Sequence, residues 1–161
     1  MKLKIIFIFC LLLWACVVQA SDLDRRKYDC FELAGRDSNI EPALLRAVAW
    51  QESGLNYRII GSNALSGFGN GYGYGLMQID SQHMTFLKKF GITKEHLLND
   101  ICLNIYVGAY VMAVAFNKFG ENWNAVGAYN AGFKESSRQH ERRARYARSV
   151  YTTYQLIKKL E

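Results

Sequence analysis

The sequence predicts a mainly α-helical domain with a glycine-rich loop or small β-hairpin set between its helices. Three observations predict it. Over most of the chain after residue 20, apolar residues recur at spacings of three and four, the period of a helix with one buried face. That period fails between Asn56 and Tyr74, where glycine recurs at 61, 67, 69, 71 and 73, and then 75, with Phe68, Tyr72 and Tyr74 interleaved. The single proline, Pro42, stands where a helix can begin, because its missing N–H costs nothing at the first helical position.

A first helical stretch runs from Asp24 to Arg36, with Cys30, Phe31 and Ala34 on one face. Glu41-Pro42 opens a second, and Gly54 ends it. The glycine-rich segment follows as loop or hairpin. Helices resume at Ser81 to Phe90, then in a long apolar stretch from Asn99 to Phe119. A shorter helix follows at Trp123 to Tyr129, and a basic amphipathic one closes the chain from Ser137 to Lys159.

Residues 1–20 stand apart. Met1-Lys-Leu-Lys4 is positive, Ile5 to Val18 is an unbroken apolar run, and Val18-Gln19-Ala20 supplies small residues before Ser21. This is the pattern of a removable signal peptide, and a 14-residue run is short for a bilayer span of about 20. The mature domain expected is residues 21–161, periplasmic and without a stable membrane span. It has 18 basic and 14 acidic residues, an ordinary soluble composition that excludes collagen, coiled coil and disordered tail. Cys10 and Cys16 leave with the leader. Cys30 and Cys102 remain, and two cysteines in an exported chain suggest one disulfide, the alternative being two buried thiols.

One residue breaks the helical pattern. On the helix opening at Pro42, Leu45, Val48 and Ala49 define the apolar face, and the next place on it is Glu52. A carboxyl at a core position loses hydration, which favours its neutral form and raises its pKa. That suits a general acid working near neutrality. The bland alternative is a glutamate leaning from the last turn into solvent.

Glu52-Ser53-Gly54-Leu55-Asn56, Tyr74-Gly75-Leu76-Met77-Gln78-Ile79 and Ala128-Tyr129-Asn130-Ala131-Gly132 occur in that order. Together they resemble the lytic transglycosylases of the lysozyme-like superfamily, over a span from about Cys30 to Tyr151. The compact form is most similar to the small peptidoglycan-cleaving enzymes of type III secretion systems, and next to those of type IV secretion and conjugation.

The resemblance implies an α+β lysozyme-like fold, with the glycine-rich segment forming one side of a sugar cleft. It implies that Glu52 protonates the bond between N-acetylmuramic acid and N-acetylglucosamine, then deprotonates the muramyl C6 hydroxyl as it closes a 1,6-anhydro ring. Gln78, Met77, Tyr129, Asn130 and Tyr146 are the implied substrate-binding residues, with plain packing the alternative for Met77 and a core tyrosine with one satisfied hydrogen bond the alternative for Tyr129. Tyr129 is expected to place the Glu52 carboxyl with its hydroxyl. Asp80 departs from the family pattern and is either a second carboxylate at the substrate or the cap of the helix starting near Ser81. Hydrolytic muramidase action and a non-catalytic wall-binding role are the competing functions. Glycan strands of peptidoglycan and a secretion-system component are the expected partners.

Other chemistries fit poorly. The glycine cluster holds no phosphate-binding fingerprint. His83, His96 and His140 lack partners at metal-ligand spacing and read as exposed surface residues, so no metal or cofactor is expected. Ser53 reads as a local backbone hydrogen-bonder. Arg138, Arg142, Arg143, Arg145 and Arg148 read as a solvated face of the last helix, with the anionic wall or a secretion partner as alternatives. Nucleic acid is not expected for an exported chain.

Overall fold

The computed structural model describes residues 25, 27, 29–62, 64 and 71–161. The expected leader at residues 1–20 and part of the glycine-rich segment lie outside the described residues.

Helix α1 runs through residues 29–38 and buries Cys30, Phe31 and Ala34, the face that periodicity indicated. Helix α2 spans Pro42–Ser53, with proline in its first turn. It ends at Gly54 in the left-handed conformation, whose N–H donates to the Trp50 carbonyl. A three-stranded antiparallel sheet follows in the order β1 (Ile60–Ser62), β2 (Tyr72–Tyr74) and β3 (Ile79–Asp80). The third strand extends the predicted hairpin, so Gly75-Leu76-Met77-Gln78 is the turn between β2 and β3 rather than a segment beyond the loop.

The predicted Ser81–Phe90 helix is three short pieces. A 3-10 turn at Ser81–His83 leads into α3 (Met84–Leu87), and a second 3-10 turn at Lys88–Phe90 ends at left-handed Gly91. Helix α4 (Lys94–Asn99) is separate from the long helix α5 (Ile101–Phe119). Thr93 caps α4 in a reciprocal box with His96, and Asp100 caps α5 by accepting the Leu103 N–H. Helix α4 is not among the expected helices, and Asp100 starts the long one at Ile101 rather than Asn99. Helices α6 (Trp123–Ala131) and α7 (Ser137–Leu160) are capped by Asn122 and Ser136.

Helix α5 is long and apolar enough to cross a membrane by composition, yet it is the core helix of this domain. Ile105, Val107, Ala109 and Met112 pack with Leu45, Val48, Leu76, Met77 and Val150 from the surrounding elements. A disulfide joins Cys30 of α1 to Cys102 of α5, with Cα atoms 5.2 Å apart.

Two features position the site. Helices α6 and α7 cross at Gly127, where a Cβ would lie 2.3 Å from the Arg143 carbonyl oxygen, so only glycine permits this approach. The β2–β3 turn is held to α5 by Asn104, which is fully buried. Its Oδ1 accepts the Met77 N–H at 2.7 Å, and its Nδ2 donates to the Tyr74 and Leu97 carbonyls at 2.9 and 3.0 Å. A buried amide is costly unless its polar atoms are partnered, and here donors and acceptor all are. Gly75 makes room for it, with φ +74° and a would-be Cβ 2.4 Å from Nδ2.

Candidate active site

Glu52 sits in the last turn of α2, after buried Leu45, Val48 and Ala49. The left-handed Gly54 cap ends the helix before the chain turns away, leaving the carboxyl half-buried at the floor of a cleft of about 1120 Å³. The sheet forms one wall through Gly61, Ser62, Gly73, Gln78 and Asp80, and α6 and α7 form the other through Tyr129, Asn130, Arg142 and Tyr146. Cleft volumes of this order suit an extended ligand.

Burial pushes the Glu52 pKa up to about 7 against the opposing effect of hydrogen bonds from Tyr146 and Asn130. Desolvation of the charged form wins over two polar neighbours. The Tyr146 hydroxyl donates to Glu52 Oε1 at 2.5 Å. Both tyrosine hydroxyls, on Tyr146 and Tyr129, are held well above their ordinary pKa by burial first and then by the nearby carboxylate charge. They therefore remain neutral donors across the physiological range.

The family model for the transglycosylase SLT domain matches residues 29–152. The chain belongs to this family. It is thus a peptidoglycan lytic transglycosylase. The SLT domain is 55% identical over 130 residues to "X polypeptide" of Escherichia coli, covering 81% of this chain and 75% of that one. Invasion protein IagB of Salmonella typhimurium is 41% identical over 130 residues, covering 81% and 78%. Protein IpgF of Shigella flexneri is 36% identical over 127 residues, covering 78% and 79%. The fold is also that of an inactive mutant of the lytic transglycosylase Slt from Pseudomonas aeruginosa, with TM-score 0.57 and 22% identity. That match covers 82% of this chain, which spans only 24% of the larger protein.

Within this SLT domain the expected site residues are partly gathered and partly not. Glu52, Gln78, Asp80, Tyr129, Asn130 and Tyr146 all line the cleft. Met77 does not. It is fully buried, with its side chain against Gly108 of α5, so its expected substrate contact gives way to packing. Its backbone still matters, because the Met77 carbonyl accepts the Tyr129 hydroxyl at 2.8 Å. The carboxyl-placing role expected of Tyr129 therefore falls to Tyr146, while Tyr129 ties α6 to the β2–β3 turn.

Gln78 is also more committed than expected. Its Nε2 donates to the Ile59 and Gly75 carbonyls at 3.2 and 2.8 Å. Its Oε1 lies where a Cβ on Gly61 or Gly73 would be. Gln78 thus clamps the sheet from the cleft side, in a left-handed backbone conformation with φ +48°. Asp80 caps the turn after β3, accepting the Gln82 N–H at 2.8 Å, and at the same time lines the cleft. Ser53 donates to the Ala49 and Leu76 carbonyls at 3.1 and 2.6 Å, which ties the end of α2 to the same turn.

His83 and Arg143 depart furthest from expectation, whereas His96, His140, Arg138, Arg145 and Arg148 are exposed. His83 is half-buried in the cleft wall rather than exposed, and burial lowers its pKa against the opposing charge of Asp80. Arg143 is fully buried rather than solvated. Its guanidinium donates to the Gly132 and Lys134 carbonyls and to Glu135, and stacks 4.6 Å from the Phe119 ring centroid. It thereby fixes the α6–α7 connection, and with it Asn130 at the end of α6. Arg138, Arg142 and Arg145 line the cleft. Among the described residues no group of three or more His, Cys, Asp or Glu could hold a metal.

Asn104, Arg143 and Gly127 are the supports that sequence reasoning missed. Only Asn104 left a signal, an amide set among the apolar residues of a helix.

Proposed function

We propose that Glu52 is the acid and base of a ring-closing cleavage of the β-1,4 bond between N-acetylmuramic acid and N-acetylglucosamine. The observation that carries this reading is a carboxyl pushed up to about 7 at the floor of the cleft, with a neutral tyrosine hydroxyl fixing its orientation. Protonated Glu52 gives its proton to the glycosidic oxygen as the C1–O bond breaks. The carboxylate so formed takes the proton of the muramyl C6 hydroxyl as that oxygen bonds to C1. Glu52 ends protonated again, and no water is consumed. Tyr146 and Asn130 stabilise the carboxylate during the interval, and Asn130 also offers its amide to sugar hydroxyl or acetamido groups.

One observation favours hydrolysis as the second reading. Asp80 lines the same cleft as Glu52, and a second carboxylate is what a conventional glycosidase uses. Mass spectrometry of digested sacculi separates the two. Anhydromuramyl products, one water lighter than hydrolytic products, are expected and should disappear in Glu52→Gln. Reducing-end products would favour Asp80-assisted hydrolysis instead.

The substrate lies outside the cytoplasmic membrane, which agrees with a leader at residues 1–20 and a periplasmic mature domain. Cutting there would open the wall locally for a secretion apparatus. The resemblance to secretion-associated enzymes supports this role, as does the similarity to a Salmonella protein named for invasion.

A further inference from the structure

Helix α7 carries a second concave site on the side away from the cleft. Arg138, Arg142 and Arg145 follow the cleft side, whereas His140, Ala144, Arg148 and Tyr151 follow the other, because about 3.6 residues complete a turn. Trp123 and Asn124, at the start of α6, close this second side into a slot of about 560 Å³. None of the slot residues lines the cleft, so α7 stands between the two sites.

The slot is made of rings beside a smooth floor. Trp123 meets Tyr151 edge to face, with ring centroids 4.9 Å apart and planes at 86°, and Tyr154 lies 5.8 Å behind the indole. Ala144 and Ala147 carry nothing beyond Cβ, which clears the floor between His140 and Tyr151, about 16 Å along the helix. Packing does not cover the rings, since Trp123 is 37% and Tyr151 47% exposed. Their polar ends are uncommitted. Tyr146 and Tyr154, the other tyrosines of α7, donate to Glu52 and Glu41, and His140 pairs with Glu135 at 2.8 Å. The Tyr151 hydroxyl, the Trp123 indole N–H, the Asn124 amide and the Arg148 guanidinium bond no group among the described residues.

A ligand for this slot needs apolar faces and a rim that both donates and accepts. A pyranose has both, in its C–H faces and its hydroxyl and acetamido groups, and small-ligand sites are apolar with a few placed polar groups in this way. The exposed Arg148 adds positive charge, complementary to the anionic wall. We propose that the slot between Trp123 and Tyr151 is a second glycan site, which holds a stretch of peptidoglycan sugar chain on the far side of α7 while the cleft cuts. A second hold on the wall raises its effective concentration at the cleft, so the slot acts on retention and not on bond breaking. It is independent of whether the reaction at Glu52 closes a ring or consumes water.

NMR of side-chain amide and indole signals tests it, with Glu52→Gln protein titrated with short peptide-free glycan strands. The Trp123 indole and Asn124 amide are expected to shift with one midpoint and the Asn130 amide of the cleft with another, and Tyr151→Ser should abolish the first set alone. In the same Glu52→Gln protein, Tyr151→Ser should weaken binding to intact sacculi about tenfold, the scale of one aromatic contact. Arg148→Gln should weaken it less, and at low salt only. In protein that keeps Glu52, both substitutions should slow digestion of sacculi and leave digestion of short soluble strands, which cannot reach both sites, unchanged.

Glycan-induced shifts at Asn130 alone would overturn the second site, and shifts at neither place would overturn it together with glycan binding in the cleft. Trp123 and Asn124 signals that move with protein concentration in the absence of glycan would give the slot to a second copy of the chain instead. Unchanged sacculus binding in both variants, or an equal loss of rate on sacculi and soluble strands, would likewise contradict a retention site.

Discussion

Replacing Glu52 by glutamine should make the protein more stable, and by an amount that depends on pH. The folded-state pKa of Glu52 is raised from 4.5 to about 7, so between these values the folded protein holds a proton that the unfolded chain releases. Stability contributed by the neutral carboxyl is complete below pH 4.5 and is lost as pH rises through 7. At 1.36 kcal/mol per unit, the full loss is on the order of 3 kcal/mol. Because the carboxyl is only half-buried, about 1–3 kcal/mol is the expected range after solvent relaxation. Glutamine mimics the protonated acid in size and can still accept from Tyr146, and it cannot ionise. Urea unfolding of both proteins at pH 4, 6 and 8 measures the difference, and every other titrating group cancels in the comparison. The expected result is near-equal stability at pH 4 and a glutamine variant that is more stable at pH 8. A difference that did not change with pH, or a variant less stable at pH 8, would refute the buried-acid reasoning.

Tyr146→Phe removes a donor that favours the carboxylate, so the Glu52 pKa should rise further. A kcat/KM profile against pH should show the alkaline limb displaced upward by about one unit, together with a lower maximum. Asn104→Ala strands the Met77 N–H and the Tyr74 and Leu97 carbonyls. The expected cost is about 3–5 kcal/mol, read as a lowered Tm, with the β2–β3 turn losing amide-exchange protection first. Arg143→Met should cost about 1–3 kcal/mol, because it takes the donor from the part-buried Gly132 and Lys134 carbonyls of the α6–α7 connection; urea unfolding checks it. Gly127→Ala drives a methyl group into the Arg143 backbone. It should separate α6 from α7 and lower kcat through displaced Asn130 and Tyr146, with crystallography or chemical shifts reporting the displacement.

Glu52 was legible because a helix face has a fixed period, and a carboxyl on the apolar stripe is visible as soon as Leu45, Val48 and Ala49 are aligned. The disulfide was legible from the two cysteines that follow residue 20. What escaped reading depends on contacts between elements distant in sequence. Arg143 belongs to a run of arginines in which helical rotation alone decides that one turns inward while Arg138 and Arg142 meet the cleft. Met77 and Gln78 are adjacent in one motif, yet the turn sends one into the core and the other over the sheet. Tyr146 rather than Tyr129 meets the carboxyl, because the Tyr129 hydroxyl is engaged by the Met77 carbonyl. Helix α4 was missed although its capping pair, Thr93 with His96, stands in the sequence, because six residues are too few to show a helical period.

The central claim is that the fold holds Glu52 as a neutral acid near physiological pH. Carbon-13 NMR of the glutamate side-chain carboxyls, with the Glu52 signal assigned by its absence from Glu52→Gln, titrates that group directly. The account predicts a midpoint near 7 that moves upward in Tyr146→Phe. A midpoint in the ordinary range near 4.5, unmoved by the tyrosine substitution, would contradict it.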